Sequence, residues 1–140
     1  MVERLRPPEA SQLFAEASPE RALNGLAQAL LQATLSPPAL ALFRVIVAEA
    51  TRFPELASVL DQEGARREAV DRIAQLLERL AAADGRKLDD PRFAAEQFMQ
   101  IVVSLPQRRA LGLGVPMAKP ELDDWARASV RLFLQGCWTG

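Results

Sequence analysis

The fold class follows from residues 36–55, which read SPPALALFRVIVAEATRFPE. A serine followed by proline is a typical helix start, because the serine side chain caps the first turn and proline lacks only an N–H that would stay unpaired there. Apolar residues then recur at helical spacing, and Pro54 predicts the end of the helix. Because more than half of the helix circumference is apolar, we expect this helix to be central in the domain.

The same signals divide the rest of the chain. Cap-plus-proline starts recur at Ser18 and Asp90, while Gly85 and Gly136 are typical helix stops. Pro106 is expected to kink a helix or to begin a new segment. The only β-branched runs are short and lie inside helical patterns. The apolar stripes between these signals predict four further helices, over Pro19–Leu35, Glu55–Ala82, Pro91–Leu105 and Glu121–Gln135.

The composition is that of one globular domain. The chain has 140 residues, of which 49% are hydrophobic and 25% charged, so it can bury a core without covalent staples. We expect a lead-in at residues 1–18 that holds a short helix over about 9–17, followed by an all-α helical domain at residues 19–136. No run approaches the roughly 18 apolar residues of a membrane span, no signal peptide is visible and one cysteine is present. These features predict no membrane association and a cytoplasmic location.

Charge and residue types argue against DNA binding and catalysis by these residues. Seventeen basic residues are offset by eighteen acidic ones, so no basic face is expected. The absence of histidine removes the usual general base and the commonest metal ligand. Asp89-Asp90 and Asp123-Asp124 are acidic pairs at predicted helix starts, where the helix dipole favours them. Cys137 has no histidine to activate it. We therefore expect no enzyme, no cofactor and no metal.

Large apolar side chains are the more informative feature. Phe43, Phe53, Phe98, Met99 and Trp125 occur on three predicted helices. They could form a packed core, line an apolar pocket or belong to an interface. Polar residues among them would give a pocket its selectivity, or could be exposed helix residues. The polar candidates are Arg44, Glu49, Gln97 and Gln100.

Four segments in order resemble the C-terminal domains of the tetracycline-repressor (TetR) family of transcription regulators. They are residues 42–56 (LFRVIVAEATRFPEL), 88–98 (LDDPRFAAEQF), 108–114 (RRALGLG) and the last helix at 125–136. None of these motifs is diagnostic alone, but their order is matched over residues 19–136. The resemblance implies an orthogonal or antiparallel bundle of five to seven helices that dimerises through a four-helix bundle.

The resemblance also implies a small, mostly apolar effector that binds among the helices before the last two. In the family, such binding weakens operator binding by an N-terminal helix-turn-helix. Only about 18 residues precede the first sensor-like helix, so we expect DNA contact only through a helix-turn-helix domain that is not in this chain. The expected ligand-binding residues are Phe43, Ile46, Val47, Leu77, Phe98 and Met99.

Periodicity supports homodimerisation beside the resemblance. The helices Pro91–Leu105 and Glu121–Gln135 present apolar faces that are easier to bury against a symmetric copy, with Trp125 and Phe133 as aromatic anchors. The expected interface residues are Phe98, Ile101, Val102, Leu105, Leu122, Trp125, Ser129, Leu132 and Phe133. The sequence thus favours the effector-sensing and homodimerisation domain of a TetR-type regulator. The alternative is a stand-alone helical dimeric interaction protein without DNA binding.

Overall fold

The computed structural model describes residues 18–56 and 65–138, and all regular structure in these two ranges is helical. Side chains are described for residues 18–56 and 66–136. The predicted all-α class is confirmed. The five helices are α1 (Pro19–Thr34), α2 (Pro37–Glu49), α3 (Ala65–Ala83), α4 (Pro91–Ala110) and α5 (Lys119–Trp138).

The predicted cap-plus-proline starts are confirmed at three helices. The side chains of Ser18, Ser36 and Asp90 each accept a hydrogen bond from the backbone N–H three residues later, at 3.1–3.3 Å. Each cap is followed by a proline at the first helical position. At the end of α3, Gly85 takes a left-handed φ of 72°, as a glycine stop requires. These boundaries are local in origin, because the capping atoms lie within four residues of each other.

The core forms where α1, α3, α4 and α5 meet. Helix α4 packs on the other three, and α1 also packs on α5. Side chains at helical spacing from all four helices are buried there. The most completely buried large side chains are Leu23, Val70, Leu77, Phe98, Val102, Pro106 and Val130. The helices that meet here are those with apolar stripes, so burial of those stripes is the main stabilising contribution.

Helix α2 is peripheral, and the expectation that it is central is wrong. Ile46 is the one buried side chain of α2, while Leu42, Val45 and Val47 are 56–59% exposed. Its main helix contact is with α1. An apolar circumference usually indicates a buried helix, but here the described part of the chain offers too few helices to surround α2.

Three helix ends differ from expectation. Helix α2 ends at Glu49, before the end that Pro54 predicts. Helix α4 runs through Pro106 as one helix to Ala110, and α5 continues past Gly136 to Trp138. Gly136 therefore lies inside a helix and is not its cap. Of the predicted helix Glu55–Ala82, residues 65–83 are confirmed, whereas residues 57–64 lie outside the described ranges. The predicted short helix over 9–17 also lies outside them.

Two ion pairs between α3 and α4 add polar contacts to their apolar seam. Arg66 binds Glu96 at 2.6 Å, and Arg92 binds Asp71.

Within the described ranges, no single helix is long and apolar enough to cross a membrane. Helices α1 and α2 reach that length and composition only when counted together, across a bend of 65°.

Candidate ligand pocket and dimer face

The six side chains expected to bind a ligand fall into two groups. Leu77 and Phe98 are completely buried in the core, and Met99 is half-buried against it. The other three lie on α2, where Ile46 is buried apart from that core, Phe43 is half-buried and Val47 is exposed. Core packing therefore accounts for Leu77, Phe98 and Met99, whereas Phe43 and Val47 on α2 keep exposed surface.

A cavity of about 170 Å³ lies elsewhere, between α1 and α5. It is lined by Glu20, Arg21, Asn24, Arg127 and Val130, and by none of the six expected residues. The Asn24 carbonyl oxygen Oδ1 is buried beside it without a hydrogen-bond partner. Because that oxygen is inaccessible, a molecule in the cavity could not reach it without a side-chain rotation.

Several residues expected at a dimer interface point into the core of their own chain. Phe98 and Val102 are completely buried, Phe133 is 5% exposed and Ser129 is 6% exposed. The Phe98 and Phe133 rings pack edge to face. These four side chains join α4 to α5 within one chain, so they present little area to a second copy.

Other expected interface residues remain at the surface. Leu132 is 64% exposed, Trp125 and Leu105 are half-buried, and Ile101 and Leu122 are half-buried against the core. Along α5, Trp125, Ala128 and Leu132 are three and four residues apart, which places them on one side of the helix. This set, which we call the outer stripe of α5, is the apolar surface that α5 leaves uncovered.

Side chains of α5 and α2 donate hydrogen bonds to backbone carbonyls of α4. Trp125 Nε1 donates to the Val102 carbonyl at 2.8 Å, and Arg44 Nη2 donates to the Ala110 carbonyl at 3.1 Å. The sequence indicated Trp125 as a core, pocket or interface residue and Arg44 as a polar pocket residue, but it predicted neither of these hydrogen bonds. Pro106 and the end of α4 were signals that these carbonyls lack backbone donors, but the sequence does not say which side chain supplies one.

Three of the four aspartates singled out by the sequence, Asp90, Asp123 and Asp124, are in capping or ion-pair contacts. Asp90 caps α4, and Asp124 pairs with Arg127. Hydrogen bonding by Lys119, at 3.1 Å, lowers the pKa of Asp123. Hydrogen bonding by Arg66 likewise lowers the pKa of Glu96.

Within the described ranges, no group of three or more histidine, cysteine, aspartate or glutamate residues could hold a metal ion. The Cys137 side chain lies outside the described side chains.

The described residues form an all-α unit with a peripheral apolar helix, α2, and an uncovered apolar stripe on the last helix, α5. Residues 21–136 match the family described as the C-terminal domain of AefR-like transcriptional repressors. The chain therefore belongs to the TetR family of transcriptional regulators, in its C-terminal domain. Family membership points to a regulator rather than an enzyme.

A solved structure supports the same assignment. The chain resembles a protein from Mesorhizobium loti MAFF303099 described as a TetR-family transcriptional regulator, with 29% sequence identity and a TM-score of 0.74. The match covers 89% of this chain and 62% of that protein, so this chain spans less than two thirds of its length. No curated protein shows significant similarity to this chain.

Proposed function

We propose that this chain is the effector-sensing and homodimerisation domain of a TetR-type regulator. In this proposal a small, mostly apolar ligand controls DNA binding by an N-terminal helix-turn-helix domain. The observation that carries it is the outer stripe of α5, where the exposed Leu132 continues the half-buried Trp125, because an apolar surface patch marks a site of interaction. A symmetric copy would bury Leu132 and the exposed part of Trp125 against the same surface of its partner.

The effector would bind near α2. Phe43, Ile46 and Val47 lie on a helix whose neighbours cover little of it, so an apolar molecule can gain buried area there without breaking core packing. Arg44 lies on the same helix and contacts the end of α4. Ligand contact with α2 would thus reach α4 through a hydrogen bond as well as through α1.

Dimerisation is tested by sedimentation of the unmodified chain, of L132E and of Q75E. Gln75 is exposed on α3 and serves as the matched control for a new surface carboxylate. We expect a dimer at micromolar concentration for the unmodified chain and Q75E, and a folded monomer for L132E, because the new charge would be buried without a partner. A monomeric unmodified chain would contradict the proposal.

Effector binding is tested by a thermal-shift screen of small apolar molecules, since a ligand that binds only the folded state raises the melting temperature. We expect that the shift produced by a hit is lost in V47E and retained in Q75E. Hits whose shift is the same in V47E would show that the binding site is not on α2.

A further inference from the structure

Pro106 removes one backbone hydrogen bond from α4 at a position where the helix is buried. It is completely buried, and α4 continues beyond it to Ala110. Proline has no backbone N–H, so the carbonyl four residues earlier, on Val102, loses its donor within the helix. A buried carbonyl without a donor is unfavourable by an amount comparable to a lost hydrogen bond. The Val102 carbonyl therefore requires a donor from outside α4.

Trp125 supplies that donor. Its indole Nε1 donates to the Val102 carbonyl at 2.8 Å, across the α4–α5 contact. The indole N–H can only donate, so a partly buried tryptophan is well placed only where an acceptor is open. In an uninterrupted helix this carbonyl would already accept a backbone N–H. The proline on α4 thus creates the acceptor that holds a side chain of α5.

Trp125 also belongs to the outer stripe of α5, together with Ala128 and Leu132. Its side chain is half-buried, so the indole joins the core contact with α4 to the surface that a second copy would cover. A surface tryptophan with a free rotamer loses conformational entropy when it is immobilised at an interface. A tryptophan that is already held by a hydrogen bond has lost most of that freedom before association.

We propose that Pro106 is a positioning residue for association with a second copy of this chain. It acts through Trp125, because the carbonyl that it leaves open fixes the indole in the orientation that the partner meets. The inference rests on the proposed homodimerisation through the outer stripe of α5. It adds a buried residue on α4, which the partner does not touch, to the determinants of that interface.

The test is a double-mutant cycle of W125F and P106A on the full chain, read by the dimer dissociation constant from sedimentation. In the unmodified background W125F should weaken the dimer about three- to tenfold, since it replaces an indole that is already held before association by a ring that must be immobilised at the interface. In the P106A background, the introduced backbone N–H pairs the Val102 carbonyl, so W125F should weaken the dimer less than about twofold. L132A is the control, and its effect should be the same in both backgrounds.

Hydrogen exchange of the Trp125 indole N–H provides a second readout that needs no dimer. We expect slow exchange in the unmodified chain and faster exchange in P106A, with the signal assigned by its loss in W125F. A dimer whose W125F effect is the same in both backgrounds, or whose indole exchange is unchanged by P106A, would overturn the positioning role alone. A monomeric unmodified chain would overturn both that role and the proposed dimerisation.

Discussion

Phe98 on α4 and Phe133 on α5 meet edge to face, with ring centroids 5.1 Å apart and an interplanar angle of 71°. This is the geometry that aromatic pairs prefer, because the positive edge of one ring meets the negative face of the other. Both side chains are buried within one chain. Phe133, which the sequence suggested as a dimer anchor, is therefore part of the contact that joins α4 to α5.

The neighbours Leu132 and Phe133 should have opposite roles. F133A should lower the free energy of unfolding by about 3–5 kcal/mol, because it removes a buried aromatic ring and leaves a cavity. L132A should change the stability of the monomer by less than about 0.5 kcal/mol, because Leu132 is 64% exposed. Chemical denaturation at a concentration below the dimer dissociation constant measures both values. Equal losses for the two variants would contradict the assigned orientation of α5.

Asn24 should be a point of instability in the α1–α5 contact. Its Oδ1 is buried without a hydrogen-bond partner, so N24L should raise the free energy of unfolding by about 1–3 kcal/mol while roughly keeping side-chain volume. Q32L, at an exposed position of the same helix, is the control and should change stability by less than about 0.5 kcal/mol. A destabilised N24L would show that Asn24 has a partner in solution.

Two glycine-to-alanine changes should have opposite signs. G85A should destabilise the chain by about 1–2 kcal/mol, because the left-handed φ of 72° is strained for a residue with a Cβ atom. G136A should stabilise it by about 0.5–1 kcal/mol, because Gly136 lies inside α5 and an added Cβ meets no atom within 4 Å. Thermal unfolding measures both. A destabilised G136A would mean that α5 ends before this position in solution.

The Arg66–Glu96 pair should make stability depend on pH in acid. Hydrogen bonding by Arg66 lowers the pKa of Glu96 below its ordinary value of 4.5. Its contribution is therefore complete above about pH 4.5 and is lost as the pH falls through the lower pKa of the folded state. The difference in unfolding free energy between the unmodified chain and E96Q should shrink over that interval.

E78Q is the control for that measurement, because Glu78 is exposed and pairs with no described residue. Subtracting it removes the general effect of losing one surface carboxylate. If the E96Q difference stays constant from neutral pH to well below 4.5, the pair does not persist in solution.

Local chemistry was sufficient to predict the fold class and most helix starts. Ser18, Ser36 and Asp90 cap the helices that follow them, because a cap and the N–H groups that it binds are only a few residues apart. The stop at Gly85 is equally local. The apolar stripes also predicted that α1, α3, α4 and α5 are amphipathic helices, but not that these four meet in one core while α2 lies at its edge.

The candidate sites were less predictable, because periodicity shows that a face is apolar without showing what covers it. Helix α2 and the outer stripe of α5 have apolar faces like those of core helices, yet Val47 and Leu132 are exposed while Phe133 is buried. Which face is covered depends on the number and angle of the neighbouring helices. Those properties arise from contacts between residues far apart in the chain.

The sequence by itself determined that this protein is all-helical and that three of its helices begin at a capping residue followed by proline, and its motifs indicated the TetR family. Only the tertiary structure decided that Trp125 pairs with the carbonyl freed by Pro106, and that Arg44 pairs with the end of α4. The physical reason is that a missing backbone donor can be read from a proline in one helix. The side chain that replaces it comes from another helix, and only packing brings the two together.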